Sequence, residues 1–189
     1  MHKLNDRNEL EVSKLFQNIK QQDQILDVVI HNIDVNIPSR FLRTRINFFK
    51  EMWQSAFISG FLIGQEATTI MSEQMYGSII FTSTVTSLRN KAFFSAFTMG
   101  KSALNFYILN LAKNYKSKNI HISHVVIDGT VSDRINKVLI DLSRFVTGNS
   151  GIGVGGLTDA IAENYWRLHQ QKDHLLVNEI ELYLHKLKF

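Results

Sequence analysis

The chain has 189 residues, 44% of them hydrophobic and 20% charged, which excludes a disordered tail or a fibre and fits one domain over 1–189. With no cysteine, disulfides, zinc–thiolate sites and thiol nucleophiles are excluded, and the single proline and ten glycines argue against linkers and low complexity. A net charge of +4 is too mild and too scattered to indicate a nucleic-acid partner.

Residues 1–11 are polar, with no apolar core of the kind a signal sequence needs. Helical spacing of Leu10, Val12, Leu15, Phe16 and Ile19 predicts an amphipathic helix ending before Gln21. The β-branched run 25–30 then reads as a buried parallel strand, and Asn32 to Arg40 as a loop. A long helix follows from Ile46 to about Gln74. Its small residues Ala56, Ser59, Gly60 and Gly64 predict close approach by another helix, and Phe49, Trp53, Phe57 and Phe61 form an apolar stripe. Its most apolar stretch, 56–63, falls well short of the roughly 20 residues a bilayer span requires, so no membrane partner and a cytoplasmic location are expected.

A second strand is expected over 77–82, then a hydroxyl-rich loop to Ser87, and a second long helix over 96–115. The run 120–127 reads as a third strand closed by Asp128-Gly129. On it His121 and His124 face opposite sides and cannot share a metal, so no metal site is expected. Helices are expected near 134–145 and 158–169, the second capped by Thr158, and a last strand over 175–184. Strands alternating with helices at these lengths imply an α/β fold, a parallel sheet with helices on both faces.

In such a sheet ligands gather beyond the carboxyl ends of the strands, which here carry Asn32, the 82–87 loop and Asp128-Gly129. Together with Ser95-Ala96-Phe97-Thr98-Met99-Gly100-Lys101-Ser102-Ala103-Leu104, these turns resemble the short-chain dehydrogenase/reductase family over 10–189. The chain looks most similar to a divergent bacterial subgroup, through Val126-Ile127-Asp128-Gly129 and the helix Tyr165-Trp166-x-Leu168-His169-x-Gln171.

The resemblance implies a partial Rossmann-type sheet and an NAD- or NADP-linked oxidation or reduction of a small alcohol or ketone. It carries the catalytic serine onto Thr84 and the Tyr-x-x-x-Lys pair onto Phe97 and Lys101. The Asn-Asn-Ala-Gly turn falls loosely on 31–34, with Asn32 on the cofactor side, and the Pro-Gly turn on Asp128-Gly129. Val131 stands where the backbone meets the nicotinamide, and the helical asparagine falls on Ala56. In the family the two long helices, here 46–74 and 96–115, pair with those of another copy, which implies a homo-oligomer.

The departures concern the chemistry itself. Phe97 has no ionisable proton and is not competent for the tyrosine's step. Tyr107, ten residues on, lies roughly 80° round the helix and is poorly placed to replace it. Ala56 carries no amide. The match begins near the helix preceding the family's fourth strand, so the opening strand, glycine turn and helix have no counterpart in it. The segment Thr147–Gly153 resembles a displaced glycine turn, yet its spacing is one residue short and no long apolar strand precedes it.

Each site residue also has a plainer reading. Lys101 would snorkel from a half-buried helix, Thr84 would end a strand, and Asn32 would bond its own turn. Two functions therefore compete: an NAD(P)-linked oxidoreductase impaired at its tyrosine and glycine turn, and a non-catalytic oligomeric protein with at most a small-molecule pocket.

Overall fold

The β-branched and aromatic runs build the sheet. A computed structural model describes residues 4–22, 24–33, 37–84, 94–128, 154–171 and 176–183. The strands are β1 (Val28–His31), β2 (Gly77–Thr84), β3 (Ile120–Asp128) and β4 (Glu179–Tyr183), in the spatial order β1-β2-β3-β4 with every pairing parallel. Parallel strands need crossovers, and helices supply them on both faces. On one face lie α1 (Glu9–Gln21), α2 (Ile46–Trp53), α3 (Ser59–Gln74) and α4 (Ser95–Tyr115). On the other lies α5 (Val154–His169).

Alternation along the strands sorts the core into two parts. Ile79, Phe81, Ile120 and Ile122 point to one face and pack with Val12 and Phe16 of α1, Ala67, Ile70 and Met71 of α3, and Leu104, Ile108 and Leu111 of α4. Ile80, Val125 and Ile127 point to the other face, against Ile161, Tyr165 and Leu168 of α5. His121 accepts this geometry and faces α5, bonding the Leu168 carbonyl at 3.1 Å, while His124 faces away and meets Glu179 at 2.9 Å.

The predicted helix 46–74 is one rod interrupted by a π-turn, Gln54–Ile58, in which the Ser59 N–H reaches back to the Gln54 carbonyl. Its small residues do bring α4 close. A Cβ on Gly100 would stand 2.7 Å from that of Ala56, and a Cβ on Gly60 would stand 2.6 Å from Leu104. Gly77 opens β2 at φ +150, and a side chain there would collide with Met71 at 2.4 Å.

Several expectations need correcting. The first strand begins at Val28 rather than Ile25, because the ladder starts opposite Ser78. Leu26 is instead clamped by the Gln74 side chain, whose Oε1 accepts from its N–H and whose Nε2 donates to its carbonyl. The last strand likewise starts at Glu179. Thr158 is not an N-cap. It lies inside α5, which begins at Val154 and runs through Gly155 and Gly156 despite their low helix propensity, because Ile161, Tyr165 and Leu168 dock on the sheet. α1 packs against α3 through Val12 and Phe16. The helix expected over 134–145 falls outside the described residues.

Candidate functional site

At the carboxyl ends of β1 and β2 the chain buries a cation. Lys101 sits on α4, whose inward positions Ala96, Phe97, Gly100 and Leu104 are all buried against the sheet and the α2–α3 rod. The lysine is 0% exposed. Its Nζ donates to the Ile33 carbonyl just beyond β1, at 3.1 Å, and to the Thr82 carbonyl of β2, at 3.4 Å. An ammonium taken from water needs such partners, since an unpaired buried charge is very costly.

Phe97 lies one helical turn earlier, 1% exposed, its ring centroid 5.8 Å from the Lys101 ammonium. The ring face offers the cation a weak electrostatic attraction and no proton. Ala56 is also fully buried, filling the space against Gly100 where the resemblance would put an amide. Thr84 ends β2 half-buried, and Asn32 is exposed just past β1. Gly129, Val131 and the glycine segment 147–153 fall outside the described residues.

Two groups not singled out from the sequence complete the cluster. His31, the last residue of β1, is 1% exposed, and its Nε2 is hydrogen-bonded to the Ser59 hydroxyl at 2.9 Å. Burial, and after it the nearby Lys101 charge, push its pKa down from 6.5 to about 4, so it is neutral near pH 7. Among the described residues its Nδ1 has no hydrogen-bond partner, and neither has the buried Oδ2 of Asp6, whose charge acts on His31 in the opposite sense. Next to Asp6, the Arg7 guanidinium donates to Ser55 at 3.3 Å, which ties the N-terminal turn to the π-turn. The sequence did contain a signal for His31: a polar residue closing an otherwise apolar β-branched run.

Two tyrosine hydroxyls have partners elsewhere in the structure. The Tyr107 hydroxyl donates to the Phe61 carbonyl at 3.1 Å, inside a stack of rings from Phe49 through Trp53, Phe57 and Phe61, and burial raises its pKa. The Tyr165 hydroxyl bonds the Thr82 hydroxyl at 2.7 Å, on the α5 face of the sheet. The apolar stripe is thus half-buried in its own stacking. On the outward face of α4 a depression of about 390 Å³ is lined, among the described residues, by Ser95, Thr98, Met99 and Ser102. No group of side chains among the described residues could hold a metal ion.

Four parallel strands with a buried lysine on the helix after β2 match the expected family in outline. The sequence profile described as short chain dehydrogenase matches residues 3–140. The chain belongs to the short-chain dehydrogenase family. Among curated proteins none is significantly similar to it. Solved structures agree on the fold. A short-chain dehydrogenase from Rhodopseudomonas palustris superposes with a TM-score of 0.78 at 28% identity, covering 97% of this chain and 74% of that one. Sorbitol-6-phosphate 2-dehydrogenase from Erwinia amylovora gives 0.79 at 12% identity, with 96% and 77% covered. A metagenomic short-chain oxidoreductase in complex with NADP gives 0.78 at 16% identity, with 98% and 73% covered.

Proposed function

We propose that this short-chain dehydrogenase-family protein descends from an NAD(P)-dependent oxidoreductase of small alcohols or ketones but does not itself transfer hydride. The observation that carries this reading is the pair on α4. Phe97 occupies the expected tyrosine position with no ionisable proton, and Lys101, one turn on, spends its ammonium on the Ile33 and Thr82 carbonyls. A nicotinamide ribose would reach Lys101 only after those contacts opened. The amide that would support a proton-relay water is replaced by Ala56, packed against Gly100.

The residues present do not fit a dinucleotide well. Pyrophosphate is held by backbone amides of a glycine-rich turn between strand and helix. The connections after β1 (32–45) and after β2 (85–94) contain no glycine, and the glycines after β3 (Gly129, Gly148, Gly151 and Gly153) do not have the spacing of that turn. NAD or NADP therefore belongs to this reading as an ancestral cofactor. Phe97→Tyr combined with Thr84→Ser tests the point: we expect no NAD(P)-dependent turnover of alcohols or ketones. Turnover in that double variant would reverse the reading.

A specific observation favours a second role, assembly. At 100° per residue Ser95, Met99, Ser102, Phe106 and Leu109 share the outward face of α4, and Met99, Phe106 and Leu109 are exposed. An apolar stripe of this length on a helix beside the 46–74 rod supports a homo-oligomer built through helices 46–74 and 95–115. Light scattering should give a multiple of 21.7 kDa at micromolar concentration, and a stable monomer would contradict it.

A further inference from the structure

Residues 37–46 form a surface that neither the core nor the Lys101 cluster uses. The stretch is a fixed turn. The Ser39 and Thr44 hydroxyls are bonded at 3.0 Å, Thr44 Oγ1 donates to the Arg40 carbonyl at 3.0 Å, and the Arg43 N–H donates to the same carbonyl at 2.9 Å. Arg40, Arg43 and Arg45 reach solvent from it, and Lys50 follows on α2. Among the described residues no carboxylate pairs with any of these four cations. Between the arginines stand aliphatic side chains that water should not see. Leu42 is 94% exposed and Ile46 65% exposed, with Ile37 exposed beside Pro38.

We propose that this turn docks the protein onto an anionic lipid bilayer surface, with Leu42 and Ile46 entering the interface and the four cations facing lipid phosphates. The expectation of no membrane partner rested on span length, and peripheral docking requires no span. Among the described residues no helix is long and apolar enough to cross a membrane. The chemistry singles out lipid. A nucleic acid would use the arginines but offer nothing to Leu42 and Ile46. An acidic peptide would need a groove, and a leucine exposed to this degree projects from the surface instead of lining one. A bilayer interface takes both at once, because aliphatic side chains enter the headgroup–acyl boundary while guanidinium forks pair with phosphate oxygens. Each basic residue near such a surface strengthens binding roughly fivefold.

Co-sedimentation of the full chain with vesicles tests this. The probes are phosphatidylcholine vesicles with and without phosphatidylglycerol, at low salt and at about 1 M salt. We expect binding only to the phosphatidylglycerol vesicles, and its loss at high salt. The combined Arg40→Gln, Arg43→Gln and Arg45→Gln variant should bind about a hundredfold more weakly. Leu42→Ser with Ile46→Ser should weaken binding at least about tenfold at an unchanged melting temperature. Equal binding to both vesicle types overturns the proposal, as does arginine-variant binding at parental strength. Vesicle binding that ignores the Leu42 and Ile46 changes, together with capture on heparin, overturns it in favour of a general polyanion surface. If the triple variant does not fold, Arg43→Gln alone and the salt dependence of the parent decide.

Discussion

Lys101 separates the two readings of this protein at the scale of one residue. As a cofactor-holding lysine it would matter to activity and little to stability. As an enclosed cation bridging the Ile33 and Thr82 carbonyls it is part of the frame. Replacing it by methionine keeps the bulk and removes the charge-assisted bonds, so Lys101→Met should lower unfolding free energy by roughly 3 kcal/mol in urea titration. An unchanged midpoint would place the lysine outside the frame. His31 supplies a second test. Its pKa is held at about 4 by burial and then by Lys101, against 6.5 in the unfolded chain. The unfolded chain thus takes up a proton between pH 6.5 and 4 that the folded chain resists. The contribution is fully present above pH 6.5 and is lost as pH falls through that window, by roughly 3 kcal/mol at the acid limit. His124, also lowered chiefly by burial, acts in the same direction. In urea titrations at pH 7 and pH 4.5, His31→Gln should show a shallower loss of stability than the parent, and an identical loss would contradict the assignment. Of this cluster the sequence disclosed the lysine and the phenylalanine, which stand in one short phrase. The His31–Ser59 bond spans 28 residues and depends on where the π-turn aims Ser59, which no local pattern encodes.

At the scale of elements, what was legible followed from apolar periodicity. The runs around Ile79-Ile80-Phe81 and Val125-Val126-Ile127 are apolar on both faces, and both are central strands buried by helices on either side. The ends of elements were less legible because long-range partners set them. Gln74 holds Leu26 outside β1, and sheet packing pulls α5 one turn past Thr158. The edge strand carries a prediction of its own. β1 bonds β2 on one side, Val28 and Ile30 are exposed on the α5 face, and no strand among the described residues pairs with its other side. Its amides should exchange with solvent faster than those of β2 and β3, measured by hydrogen exchange on the native protein. Protection along 28–31 equal to that of β2 would mean the edge is covered.

For the whole molecule, family membership and chemistry point in different directions, as they do when one fold hosts many functions. The sheet, the long helical rod and α4 reproduce the short-chain dehydrogenase architecture, with TM-scores near 0.78 to structures that this chain matches over about three-quarters of their length. The positions proposed to react carry Phe97, Ala56 and an enclosed Lys101. The central claim is that this fold persists here without a held dinucleotide, and isothermal titration calorimetry of the unmodified chain with NAD and NADP measures it most directly. With Lys101 engaged by the Ile33 and Thr82 carbonyls and no glycine in the connections after β1 and β2, on this account few charge-assisted bonds, each worth roughly 1.5–3 kcal/mol, remain to hold a dinucleotide, so no saturable binding is expected at micromolar cofactor. Micromolar affinity for either nucleotide, with heat proportional to protein concentration, would contradict the account.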